Sequence, residues 1–255
     1  MQRAAHAARE KAAANRQKMI DASPSDLGLR RSLAGDLADL GWNLWTAGRA
    51  AEALATFERE RAIWSKLAAA TPADPSDRDR LANCEANAAA ALVTLGRPSE
   101  ARACCDRAIA IREDQVRDNP ANETYHQGLA EGLLRSGGVR AAAGDLAGAA
   151  ADWRRADGLY ASHPPAGRQY AVLWACCRGS LAGLAGAAGS GVSAAEGTAH
   201  AEEAMTLLRR AVASGHRDFA HCQAEPGLDP LRSRDDFRLM MMDLAFPDVP
   251  FAPGD

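Results

Sequence analysis

The sequence predicts an all-α fold, a superhelical solenoid of helix-turn-helix repeats closed by a C-terminal capping helix. Three observations carry this. First, Gly48, Gly96 and Gly144 stand 48 residues apart, each followed at matching offsets by Ala53, Ala101 and Ala149 and then by Phe57, Cys105 and Trp153. Leu33, Leu81 and Leu129 keep the same interval, as do Pro24, Pro72 and Pro120. A fixed period of this size marks a stack of similar supersecondary units. Second, alanine is very common, aromatics are only 5% and β-branched residues are few, a composition that favours closely packed helices. Third, glycine and proline fall where such a period needs its turns and ends.

Read in order, residues 1–20 form one charged helix without a partner helix upstream. The run Asp21 to Asp26 breaks it. The first hairpin then spans about Leu27–Ala47 and Ala50–Ala70, turning at Gly48-Arg49. The second spans about Arg78–Leu95 and Ser99–Asp118, and the third Asn122–Ala143 and Leu146–Ala161. As repeats these are about 22–70, 71–118 and 119–163. A fourth unit, 164–214, departs from the period: a helix over Arg168–Ala185, a loop through Gly186 to Ser193, and a helix over Ala194–Ser214. Residues 215–230 are expected to be irregular. Ser233, with Asp236 three residues on, has the spacing of a capping box and is expected to open the last helix. Phe237, Met240, Met241 and Leu244 give that helix an apolar face, and the cap covers 215–245. Solenoid ends need such caps. The Pro-rich tail 246–255 reads as extended, and residues 1–245 read as a single domain.

Composition narrows the function. The net charge is −3 with both signs interspersed, which argues against a nucleic-acid partner. The longest apolar stretch, Tyr170 to Val192, is broken by Arg178 and glycines. No membrane span and no signal peptide are read, and a cytoplasmic location is expected. The six cysteines include the adjacent pairs Cys104-Cys105 and Cys176-Cys177. Adjacent helical positions diverge by about 100°, so buried, reduced thiols are expected.

The first unit reads Leu37-x-x-Leu40-Gly41-x-x-Leu44-x-x-x-Gly48-x-x-x-x-Ala53-x-x-x-Phe57. This resembles the tetratricopeptide repeat, over about residues 1–215 and with a longer period. The resemblance implies that Gly41, Ala89 and Gly137 are small positions answered by Ala53, Ala101 and Ala149. It implies that Phe57 and Trp153 fill the wedge between repeats. A narrower likeness covers Leu207 to Asp218, Leu228 to Phe237 and Met242 to Pro247. It is similar to the end of repeat regions that follow serine/threonine protein kinase domains in bacteria. The alternative it implies is a regulatory C-terminal region, or a fragment, of such a kinase without its catalytic domain.

Motifs that could carry catalysis lack their context. His216-Arg217-Asp218 matches a kinase catalytic triplet, but Gln223 stands where asparagine belongs and no Asp-Phe-Gly follows. The run Gly186-Ala-Ala-Gly189-Ser-Gly191 lacks the Gly-Lys-Ser/Thr of a phosphate loop and reads as a flexible connection. His216, His221 and Cys222 lack zinc spacing. No catalytic residue, metal or cofactor is therefore expected, and the chain reads as a non-enzyme.

In tetratricopeptide repeats the first helix of each hairpin lines the concave groove. The resemblance therefore implies a partner-binding groove carrying Trp42 and Trp45 from the first unit, Asn83 from the second, and Glu131 and Leu134 from the third. Ala38 and Trp42 stand where carboxylate-clamping repeats place polar groups, so a clamp on a C-terminal carboxylate is not expected. Two tryptophans three residues apart form either an aromatic anchor for a partner or a packing contact with a neighbouring repeat. The expected function is a non-catalytic protein–protein interaction scaffold holding a peptide or protein.

Overall fold

The computed structural model of the chain describes residues 11, 14–23, 25–71, 74–164 and 168–245. Among the described residues there is no strand. The chain divides into two compact units, Met1–Gly144 and Asp145–Asp255.

The first unit holds α1 (Leu27–Thr46), α2 (Ala50–Ala70), α3 (Pro75–Thr94), α4 (Pro98–Asp118) and α5 (Glu123–Ala142). Its helices start by a repeated device. Asp26, Asp74 and Asn122, each 48 residues from the next, accept hydrogen bonds from the backbone N–H groups of Leu29, Ser76 and Thr124. Such caps satisfy donors that the first helical turn leaves unpaired. With Asp74 as cap and Pro75 in the first turn, α3 begins three residues before the expected Arg78.

The turns repeat too. Gly48, Gly96 and Gly144 take positive φ of 77°, 68° and 81°, as the period requires of a residue without a Cβ. The Arg49 N–H reaches the Leu44 carbonyl at 2.9 Å, and Arg97 repeats this with Leu92 at 2.9 Å, the six-to-one bond of a Schellman turn. Each arginine then pairs with the acid three residues on, Arg49 with Glu52 and Arg97 with Glu100.

Each helix of this unit packs on the next, and α3 also touches α1 and α5, the arrangement of a helical repeat. Ala53, Ala89 and Ala101 are fully buried. A Cβ on Gly41 would lie 2.4 Å from the Phe57 ring. Phe57 therefore sits against the first helix of its own hairpin and shares a buried cluster with Cys84 and Ala88 of the next. The contact between hairpins includes the Cys84 thiol, which donates to the Phe57 carbonyl at 3.2 Å. Upstream, residues 14–22 are helical and Ile20 packs with Leu33 and Leu37. Residues 1–10, Pro24, Pro72 and the tail 246–255, on which expectations were placed, lie outside the described residues.

The second unit holds α6 (Leu146–Ser162), α7 (Arg168–Gly183), α8 (Ala194–Ala213), α9 (Phe219–Ala224), a 3₁₀ helix (Pro226–Leu231) and α10 (Asp235–Ala245). The glycine-rich connection is a tied turn. Gly186, Gly189 and Gly191 have positive φ, and the buried Ser190 hydroxyl donates to the carbonyls of Leu184 and Ala187. Ser193 and Glu196 form a capping box at the start of α8. The segment expected to be irregular instead forms α9 and the 3₁₀ helix. The cause is a close approach to α7: a Cβ on Gly179 would lie 2.2 Å from the Gly227 carbonyl oxygen. Leu228 and Leu231 are thereby completely buried. The last helix starts at Asp235, two residues after the expected Ser233, because Asp236 pairs with Arg234 and Arg209 and does not serve a Ser233 cap. All six cysteines are free and buried. Burial pushes the Cys84, Cys176 and Cys177 thiols well up, and Cys104 up to about 11. Among the described residues no helix is long and apolar enough to cross a membrane.

Candidate partner-binding groove

Helices α1, α3 and α5 of the first unit line a groove of about 910 Å³. Its walls follow the sequence period: Gly35, Asn83 and Glu131 occupy one register, Asn87 and Arg135 another, and Ser32 and Arg80 a third. Trp42 joins them from α1, and α2 adds the buried side chains of Glu60 and Trp64.

The two tryptophans part company. Trp42 is 49% exposed and lines the groove. Trp45 is half-buried against the core, and its indole N–H donates to the Thr94 hydroxyl at 3.3 Å. Positions three apart on a helix fall about 60° short of a full turn, which is enough to turn Trp45 from the groove toward α3. The two rings still touch, with centroids 5.0 Å apart and planes tilted by 47°. Glu131 and Asn83 line the groove, while Leu134, half-buried, lies outside its lining residues. Asn83 is already engaged: its carbonyl accepts from Arg112 at 2.8 Å and its amide donates to Asp79 at 3.2 Å.

Arg112 comes from α4 and is buried. It reaches the groove wall because α5 carries glycines where the guanidinium passes. A Cβ on Gly128 or Gly132 would lie 2.8 Å from it. The Arg112 Nη1 donates to the Gly128 carbonyl at 2.6 Å. Burial pulls the Arg112 pKa down, against the raising effect of Asp79 and Glu131. At one end of the groove Arg31 forks onto the buried Asp77 at 2.9 and 2.8 Å. The Thr71 hydroxyl also donates to Asp77 at 2.7 Å. These donors, Arg31 foremost, hold the Asp77 carboxyl below the usual range.

Glu60 is the opposite case. It is 3% exposed, and burial pushes its pKa up to about 7 despite the hydrogen bond from the Trp64 indole to Oε1 at 3.0 Å. Its Oε2 is buried and receives no hydrogen bond. Burial likewise raises Glu131, offset in part by Arg135 and Arg112. Arg80 and Arg135 also line the groove, where Arg80 favours the ionised form of Glu60 and Arg135 that of Glu131.

Glu60, Arg80, Arg112 and Arg135 were not singled out in the sequence as groove residues, though Glu60 shares a register with Ala108 and Ala156. One signal was there. Trp64, Arg112 and Tyr160 share a register, so the period sets an arginine where its equivalents are buried aromatics.

In the second unit, His216 and Arg217 follow the Gly215 turn after α8, and the Arg217 guanidinium donates to the carbonyls of Val212 and His216. The Cys222 sulfur lies 3.5 Å from His216 Nε2. The His221 side chain lies outside the described residues. Among the described residues no group of three or more His, Cys, Asp or Glu gathers as a metal site.

No protein-family model matches the chain. No curated protein matches it either. Among solved structures it is similar to the crystal structure of BtubC (BKLC) from P. vanneervenii, with a TM-score of 0.65 and 13% identity. The match covers 100% of this chain and 95% of that one. The likeness is one of fold.

Proposed function

We propose that the protein is a non-catalytic interaction scaffold whose tetratricopeptide-like hairpins form a solenoid and hold a peptide or protein partner in the groove of α1, α3 and α5. One observation carries this reading: the groove is built from period-related positions on alternate helices and is lined by the half-exposed Trp42 together with Arg80 and Arg135. Stacked helical units characteristically bind along such surfaces. An exposed tryptophan in a groove that also carries arginines is the residue chemistry of interaction hot spots.

Photo-cross-linking tests it. The full chain carrying p-benzoylphenylalanine at position 42, in the groove, is compared in a lysate with the chain carrying it at Arg59, an exposed position on α2 outside the groove. A discrete adduct from position 42 and none from position 59 is expected. Equal labelling from both positions, or none from position 42, contradicts the groove as the binding surface.

A further inference from the structure

We propose that Trp42, Asn87 and Arg135 form a line across the groove that takes an extended peptide of about six residues, with an apolar side chain on Trp42, the middle of its backbone on the Asn87 carboxamide and an acidic side chain on Arg135. The inference rests on the groove reading above and specifies the occupant.

The line follows from the period. Asn87 on α3 and Arg135 on α5 stand 48 residues apart, and so hold one level on neighbouring helices. Trp42 on α1 falls three residues past that level, about 4.5 Å along the axis. Helix α3 touches both α1 and α5, and all three residues line the groove. Packed helices lie about 8–10 Å apart, so the line runs roughly 20 Å across them. An extended chain advances about 3.3 Å per residue, which makes about six residues the matching length.

Each point on the line offers its own chemistry. Trp42 is half-exposed, and Trp45 backs its ring with centroids 5.0 Å apart. One and two turns earlier on α1 the groove is lined by Ala38 and Gly35, and a Cβ on Gly35 would meet nothing within 4 Å. Space beside an exposed ring suits an apolar side chain. Asn83 is consumed by Arg112 and Asp79. The half-buried Asn87, one turn on, has no such partner among the described residues. A carboxamide carries donors and an acceptor, the complement of a peptide unit, which has one of each. Arg135 is exposed, and a guanidinium presents donors alone, which selects a carboxylate.

The remaining charges of the groove lie off this line or answer one another. Arg31 holds Asp74 and Asp77. Asp77 stands ten residues before Asn87 on α3, about 15 Å away along the axis. Arg80, seven residues before Asn87, supports the buried Glu60. Glu131, one turn before Arg135, is supported by Arg112 as well, so a ligand carboxylate at Arg135 leaves it a counter-charge. With both signs represented along the walls, a segment of a single charge finds no complement here, and a neutral backbone with one acid does.

The test uses the full chain and blocked hexapeptides, acetyl-Leu-Ala-Ala-Ala-Ala-Glu-amide and the same residues in reverse order, the tighter of the two being carried forward. Binding is followed through the Trp42 indole and Asn87 side-chain signals in ¹⁵N spectra. Exchanging the glutamate for glutamine, or N-methylating the two central alanines, should each weaken binding about fivefold. Asn87→Ala should weaken the unmethylated peptide by the same factor and leave the methylated one unchanged. Arg135→Gln, at an exposed position, should do likewise for the glutamate peptide against the glutamine one. Such non-additive losses mark direct contacts, and the two variants report on them separately. Losses that simply add, or equal affinities for all the peptides, would overturn the line yet leave the groove as a binding surface. Binding by none of them also overturns it, and the groove itself then stands or falls on cross-linking at position 42.

Discussion

Glu60→Gln should change how stability depends on pH, and the size of the change follows from the burial of one carboxyl. In the unfolded chain this group titrates near its ordinary 4.5, and in the folded protein at about 7. Below the lower value both states hold the proton and the shift has no effect. Between the two, the folded state keeps a proton that the unfolded chain has released, so stability falls as pH rises. Above about 7 the full penalty of roughly 3 kcal/mol is present. Glutamine cannot ionise, matches the volume and can still accept the Trp64 N–H at the position of Oε1. Its amide nitrogen would replace the unpaired Oε2, at a cost of about 1–2 kcal/mol. The variant should therefore be less stable than the natural chain at pH 5 and more stable at pH 8. The difference between the two should swing by about 2–3 kcal/mol over that range, mostly between pH 5 and 7. Urea unfolding followed by far-UV circular dichroism, on both proteins at each pH, gives this difference and cancels the other titrating groups. A difference that is flat with pH, or that runs the other way, would refute the claim that burial controls this carboxyl.

Three further outcomes follow from contacts already described. Trp45→Ala should lose about 2–4 kcal/mol in urea melts because it empties a core contact, while Trp42→Ala should stay within about 1 kcal/mol of the natural chain. Arg112→Ala should lose about 3–5 kcal/mol because the acceptors around the guanidinium are left unpaired, whereas Arg112→Met should lose distinctly less; thermal denaturation compares the two. Gly41→Ala should be destabilised by about 1–3 kcal/mol through overlap with the Phe57 ring, while Gly138→Ala, with open space around its Cα, should gain up to about 1 kcal/mol from helix propensity; paired melting curves read the contrast.

Much of the first unit was legible because its signals are local. A cap such as Asp74, a turn such as Gly96-Arg97 and the helix between them depend on residues within a few positions of one another, and their recurrence at 48 residues exposes them. The bounds drifted only where a neighbouring detail intervened, as where Pro75 extended α3 toward its N-terminus. The segment after Gly215 was less legible. Its short helices exist because Gly179 and Gly227 allow the chain to dock on α7, a contact between residues far apart in sequence.

The groove divides along the same line. Spacing placed Trp42, Asn83 and Glu131 on the first helices of their hairpins, and the structure sets all three along one groove. Spacing could not tell Trp42 from Trp45, since a rotation of about 60° on the helix separates a surface from a core. Nor did it mark Glu60 as a groove residue, although Glu60 shares its register with Ala108 and Ala156. Its pKa is raised by burial and, less, by Asp39, against the lowering effects of Trp64, Cys84 and Arg80, groups spread over three helices. Helix ends and turns answer to the chain a few residues away. The charge state of a buried group answers to whatever the fold brings against it, and for Glu60 that is a set of side chains spread from Asp39 to Cys84.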